Sequence, residues 1–248
     1  LHCKFDTMRY TFLISVLLIF CGQVAISQGA VYTVKGGLTA GFQKWSGFGG
    51  NSALFGFHGD VQSETYEEDS PFSLYIQAGF HQRGSTLRRQ RVLTVSGDHY
   101  QLPTNLFIFN NASVQVGAKQ RFYDGGWFKA YYGLGIRGEY TISTNLSQYE
   151  YINQFYPIYP LDGFTLHWNY GVSLLGGMEI PFSDLIEGVL EFGFHPDLSR
   201  QYYQPALSNV VDPYNPGSLI SLQERRVKNI SFELSLGLRF IHKVVYID

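Results

Sequence analysis

The residues able to do chemistry are few and scattered. Seven histidines stand at positions 2, 58, 81, 99, 167, 195 and 242. No pair has the H-x-x-x-H or HExxH spacing that sets two imidazoles on one metal ion, so the sequence predicts no metal site. Asp98-His99 is an adjacent acid and base, a pairing that can activate water. Gly47-x-Gly49-Gly50 follows a strand but opens no helix, so it fails as a dinucleotide cradle, and no cofactor is expected. Arg88-Arg89-Gln90-Arg91 is a guanidinium cluster suited to phosphate oxygens. The 18 Lys+Arg are outnumbered by 20 Asp+Glu, a balance that points away from nucleic acid.

Something must position these residues, and the pattern points to strands. The chain has 248 residues, 45% hydrophobic, 17% aromatic and 15% charged, with 27 glycines and only 2 cysteines. So many aromatics exclude disorder, and so few cysteines exclude a disulfide scaffold. Apolar residues recur with period two, not 3.6. Phe128, Ala130, Tyr132, Leu134, Ile136, Tyr140 and Ile142 make one greasy row; Lys129, Tyr131, Gly133, Gly135, Arg137, Glu139 and Thr141 make the opposite one. Alternate residues of a strand face opposite sides, so this strand divides two environments. The split recurs from Tyr32 to Gln43, Ser52 to Val61, Phe72 to Arg83, Ser113 to Arg121, Leu166 to Ile180, Ile186 to His195 and Ile230 to Phe240.

Connections alternate in length. Short turns are read at Ser63–Pro71, Tyr123–Gly126 and Pro181–Asp184. Long loops are read at Ser85–Thr104, Ser143–Phe164 and Ser199–Val227, after a Gly-rich stretch at Ser46–Asn51. The predicted fold is all-β: an eight-stranded antiparallel transmembrane β-barrel with short periplasmic turns and long extracellular loops. A soluble lipocalin-like barrel is the competing fold. Strands as long as Trp127–Ile142, and a polar face built from Gly, Ser and Thr, favour the membrane form. Tyr32, Phe42, Phe72, Phe80, Phe122, Phe128, Tyr140, Trp168, Phe194 and Tyr246 fall near the ends of the outward rows, where aromatic girdles sit. Met8-Arg9-Tyr10, the apolar run to Phe20 and Ala25-Ile26-Ser27 read as a secretory signal. The expected organisation is an upstream mis-start over 1–7, a signal peptide over 8–27 and one barrel domain over 28–248. The barrel is expected to be monomeric.

Inward parity collects a charge network. Its bases are Lys35, Arg83, Lys119, Arg121, Lys129, Arg137 and Arg239; its acids are Asp60, Glu139, Glu179, Glu187, Glu191 and Glu233. His58, His81, His167 and His195 share that parity. Eight strands enclose a space that side chains just fill, and buried charges must pair, so a plugged lumen is expected. The outer loops carry the candidate contact residues: Arg88, Arg89 and Arg91 in the second, Tyr149, Tyr151, Phe155, Tyr156 and Tyr159 in the third, and Tyr202, Tyr203 and Tyr214 in the fourth. Tyr-rich loops either contact protein or glycan or pack on one another.

With the strands placed, a family resemblance appears. Val34-Lys35-Gly36-Gly37-Leu38-Thr39, Phe55-Gly56-Phe57-His58-Gly59, Gln77-Ala78-Gly79-Phe80-His81-Gln82-Arg83-Gly84, Tyr131-Tyr132-Gly133-Leu134-Gly135 and Leu236-Gly237-Leu238-Arg239-Phe240 resemble strands of the PorT-like outer-membrane β-barrels of Bacteroidota. Tyr100-Gln101-Leu102-Pro103 matches the entry to the family's fourth strand only loosely, and the chain runs on past Phe240 to Asp248. The resemblance implies an outer-membrane location, and one family member is associated with type IX secretion. The expected function is non-enzymatic: a structural or surface-interaction barrel, or an accessory subunit of an envelope complex. Expected partners are outer-membrane lipid, lipopolysaccharide and an envelope protein. A small-solute pore is one alternative. An outer-membrane lipid-modifying enzyme is another, with His242 or Asp98-His99 as its candidates.

Overall fold

Each long strand buries every second residue and exposes the ones between. A computed structural model describes residues 29–46, 51–67, 70–87, 91–93, 99–101, 104–155, 159–212, 215 and 217–243. The expected mis-start and signal peptide (1–27) and Tyr246 lie outside these residues. Eight long strands form the wall: β1 Gly29–Trp45, β2 Asn51–Tyr66, β3 Phe72–Leu87, β4 Asn105–Asp124, β5 Lys129–Thr144, β6 Trp168–Pro181, β7 Ile186–Pro196 and β8 Arg225–Lys243. Each is antiparallel to its neighbour in chain order, and β8 returns to β1 from Gly29↔Lys243 to Trp45↔Val227, so the sheet has no free edge around the ring. The fold is an eight-stranded transmembrane β-barrel with short turns at one end and long loops at the other.

The row that the sequence pattern turned to lipid is indeed outside. On β8, Leu236 is 67% exposed while Glu233 is 4% exposed. In a soluble protein this would be inside out. In a bilayer the lipid-facing row is apolar and the enclosed space takes the polar groups.

The strands run further than the pattern indicated. β2 continues through Ser63 and Glu64 to Tyr66, so the turn expected at Ser63–Pro71 is shorter and Glu64 is a buried wall residue. β7 continues through Pro196, and Asp197 makes an isolated bridge to Gly171. A strand of 20 residues, as β4 is, rises roughly 65 Å. That is about twice the hydrocarbon thickness of roughly 30 Å. Even when tilted, the wall extends beyond the membrane. The loop end carries short helical turns at Leu146–Tyr149, Glu150–Phe155 and Asp162–Phe164, and small strands at Arg91–Leu93, His99–Gln101, Tyr202–Gln204, Leu207–Val211 and Leu219–Leu222.

Several inward positions are glycine because large side chains enter from neighbouring strands. A Cβ on Gly117 would sit 2.3 Å from the Leu134 carbonyl and 2.7 Å from the Tyr75 hydroxyl; one on Gly135 would sit 2.6 Å from that same hydroxyl. Tyr75 is fully buried between them. Overpacking at such a site costs about 1–3 kcal/mol. Gly117→Val is therefore expected to lower the unfolding midpoint in urea, whereas Gly138→Val, at a position open to the outside, leaves it nearly unchanged.

Candidate functional site

The lumen is the most elaborate chemistry in the molecule. It is stacked in tiers from the short-turn end upward. At the bottom, Arg239 donates to Glu187, lies 3.3 Å from Glu179 and bonds Glu64 at 3.2 Å. Arg121 donates to Glu179 at 2.8 Å and also to Glu64. Lys129 lies half-exposed at the rim, 3.7 Å from Glu187.

Above this, Lys35 donates to Glu191, which also accepts from the Tyr131 hydroxyl at 2.6 Å. The Lys119 ammonium stands 3.6 Å from both Glu64 and Glu191, and 4.6 Å from the centre of the Tyr131 ring. The middle tier holds the histidines. His81 Nδ1 lies 2.8 Å from Glu233, and its Nε2 lies 3.1 Å from Asp60. His195 Nε2 approaches Glu233 at 3.2 Å. His58 stacks on His81 and bridges Thr39 and Ser235.

The next tier is a square of alternating charge. Arg83 meets Glu139 at 2.9 Å and Asp197 at 3.5 Å; Arg137 meets Glu139 at 2.8 Å and Asp197 at 3.0 Å. Amides follow. Gln43 Nε2 donates to Asn229 at 2.9 Å, Asn229 Nδ2 donates to Asp197 at 2.7 Å, and Gln201 Nε2 donates to Asn111 at 3.1 Å.

An apolar cap closes the loop end. Trp45, Leu87, Phe107, Phe109 and Val227, from the upper strand ends, pack with Leu146, Tyr149 and Tyr159 of the third outer loop and Tyr202 of the fourth. Ring centres of Trp45 and Tyr202 are 5.3 Å apart, and those of Tyr149 and Tyr159 are 4.8 Å apart. The polar ends of these rings are satisfied too. Trp45 Nε1 donates to Ser85 at 3.0 Å, the Tyr149 hydroxyl donates to the Leu106 carbonyl, and Tyr202 donates to Gln204. Burial pushes the Tyr202 hydroxyl up to about 12 and raises that of Tyr149 as well.

Against this geometry, the chain can be compared with known proteins. No protein-family model matches it, and no curated protein sequence matches it. Solved structures do. The outer membrane protein OprG from Pseudomonas aeruginosa aligns over 86% of this chain and 97% of its own, at a TM-score of 0.50 and 11% identity. Neisserial surface protein A aligns over 84% and 96%, at 0.42 and 12%. The outer membrane protease OmpT from Escherichia coli aligns over 87% and 97%, at 0.44 and 8%. At such identities the likeness is one of fold: the chain has the outer-membrane β-barrel architecture.

The expected network residues all line the lumen or its lower rim. Two members went unassigned in the sequence: Glu64, which looked like part of an acidic turn, and Asp197, which follows a proline. One expectation is corrected. His167 has inward parity, yet it precedes β6, and its exposed ring stacks on outward Tyr140 while Nδ1 faces the Thr141 carbonyl. Of the loop candidates, Tyr149, Tyr159 and Tyr202 are buried in the cap, and Tyr151 and Tyr203 are exposed. Arg91 and His99 open two paired strands and Phe155 ends a helix. Arg88, Arg89, Asp98, Tyr156 and Tyr214 lie outside the described residues. Exposed His242 sits opposite Ala30 at the short-turn end.

Two expectations follow. Arg83 holds Glu139, Asp197 and Glu233 at once, and removing one partner of a buried ion pair costs about 3–5 kcal/mol. Arg83→Met should therefore unfold at markedly lower urea than the parent, while Leu236→Met on the outside changes little. The cap has its own signature. A phenol whose folded value is raised favours the fold below its ordinary value of 10 and loses that contribution as the pH climbs toward 12. Absorbance of ionised tyrosine should show a late-titrating set, and Tyr202→Phe should remove part of it.

Proposed function

We propose that this chain is a non-enzymatic outer-membrane β-barrel that acts at its outer surface, as a structural or surface-interaction protein or as an accessory subunit of an envelope complex. The observation that carries this reading is the filled lumen. Five polar tiers and an apolar cap occupy it from end to end, and their charged side chains pair with one another. A water-filled path would have to break the ion pairs of the charged tiers. The interior is thus a folding core turned polar, and the surfaces left for function are the lipid face and the outer rim.

The PorT-like resemblance supports the accessory-subunit form, with secretion as the process served. Export through a signal ending at Ser27, a monomeric barrel, and contact with outer-membrane lipid, lipopolysaccharide and an envelope protein belong to the same reading. Tyr151 and Tyr203 are exposed, whereas the cap tyrosines are buried. No catalytic group is assigned.

Planar-bilayer recording tests the core of the proposal. The purified chain should give no steady current. Trp45→Ala with Tyr202→Ala should remain silent, because the ion-paired tiers beneath the cap still fill the lumen. Large, stable openings in the parent protein would replace this reading with the small-solute pore.

A further inference from the structure

The lipid-facing band on β1 and β8 has sharp limits. Outward residues run from Tyr32 to Phe42 on β1 and from Ile230 to Phe240 on β8, and the two rows are in register, Tyr32↔Phe240 and Phe42↔Ile230. Ten residue steps along a strand tilted by about 40° span roughly 25 Å, the height of the apolar band on such barrels. At the loop end, the next outward residue on each strand is a lysine. Lys44 and Lys228 are directly paired across the seam, and both are exposed.

Like charges placed opposite each other destabilise a sheet, and among the described residues no carboxylate pairs with either lysine. Exposed Arg226 stands one outward step further along β8 and pairs across the strands with Tyr203. Arg200 and Arg226 approach the Tyr203 ring at 5.7 Å and 6.0 Å from its centre. Glu224 takes both arms of Arg226. Glu224 also attracts Arg200, whereas Lys44 and Lys228 make no ion pair among the described residues. On β3, β4 and β5, Gln82 bonds Asn110, and Asn110 bonds Ser143. Lys44, Lys228, Arg226 and Arg200 thus lie together on the β1–β8 sector.

We propose that Lys44, Lys228, Arg226 and Arg200 form a binding site for the phosphate groups of a phosphorylated glycolipid in the outer leaflet. Continuity with the lipid-facing row selects a lipid over a soluble anion. The acyl chains lie against Phe42, Ile230 and Phe232, and the phosphates reach the ammonium and guanidinium groups one strand step above. Lysines supply point charge, and arginines supply forked donors matched to phosphate oxygens. Bound phosphate removes the repulsion between Lys44 and Lys228, so the lipid also staples the β1–β8 closure.

This inference rests on the outer-membrane reading, and its test separates the two. The full chain in detergent micelles is titrated with bisphosphorylated lipid A, with the same lipid A stripped of phosphate, with inorganic phosphate and with heparin. Expected is a preference for the phosphorylated lipid of at least about tenfold, lost in K44Q/R200Q/R226Q/K228Q, since each cation near such a surface contributes on the order of 1 kcal/mol. Lys228→Glu, which pairs Lys44 internally, should lose most of the affinity and raise the unfolding midpoint, which shows that the barrel is intact. Equal affinity for the two lipids overturns the proposal. So does binding that survives the quadruple variant but fails on replacing Arg88, Arg89 and Arg91 with glutamine. Either result leaves the surface-barrel reading standing, and a steady bilayer current would remove that reading instead. Tighter binding of heparin than of lipid A would assign the cluster to an anionic glycan and overturn the lipid assignment.

Discussion

A peptide N–H in the hydrocarbon region has no water to bond, so every backbone group there must find another strand. The seam between β1 and β8 meets that demand. It is the most distant contact in sequence, and without it two strand edges would stand bare in lipid. The other features follow from closure. Eight strands fix a narrow bore. A closed wall with one face in lipid sends its polar residues inward. Period-two alternation is then required along the full membrane depth, because a slip of one residue would exchange the faces.

Sending polar residues into a narrow bore creates the second problem, which is buried charge. The network meets it by pairing. Eight carboxylates (Asp60, Glu64, Glu139, Glu179, Glu187, Glu191, Asp197 and Glu233) meet seven Lys and Arg side chains. The histidine tier adds three imidazoles to these contacts. His81 presents both ring nitrogens to carboxylate oxygens. The glycines serve the same packing: Gly117 and Gly135 leave the space that Tyr75 occupies. Charge and volume are thus solved together, with bulky ring residues set between the ion-paired levels.

Much of this was readable as a pattern. Strand number, inward and outward rows, and most of the network follow from parity and need no tertiary information. The misses have local causes. Glu64 continues the inward row of His58, Asp60 and Gln62, but the acidic run after it imitates a turn. Asp197 continues the row of Glu191, Gly193 and His195, but Pro196 imitates a strand end. The cap was harder to see. Trp45, Phe107 and Phe109 are apolar on inward parity, against the rule that holds lower in the barrel. Their partners come from loops far away in sequence, so no window contains the signal. His167 shows the opposite limit, for parity stops meaning anything once the strand has ended and the ring is free to turn.

The overshoot of the wall decides where rigid surface stands above the bilayer. Strands that outrun the bilayer carry a rigid, hydrogen-bonded surface up to and past the headgroup level, before any loop begins. Side chains placed there are held by strand register, which fixes their spacing better than a loop does. The tyrosines divide on the same basis. Tyr149, Tyr159 and Tyr202 are consumed in sealing the bore, so their number in the loops says little about recognition. Tyr203 is different, because register with Arg226 fixes it outward on the wall. The end of the barrel wall, and not the length of its loops, therefore offers the side chains whose spacing at the headgroup level is fixed by strand register.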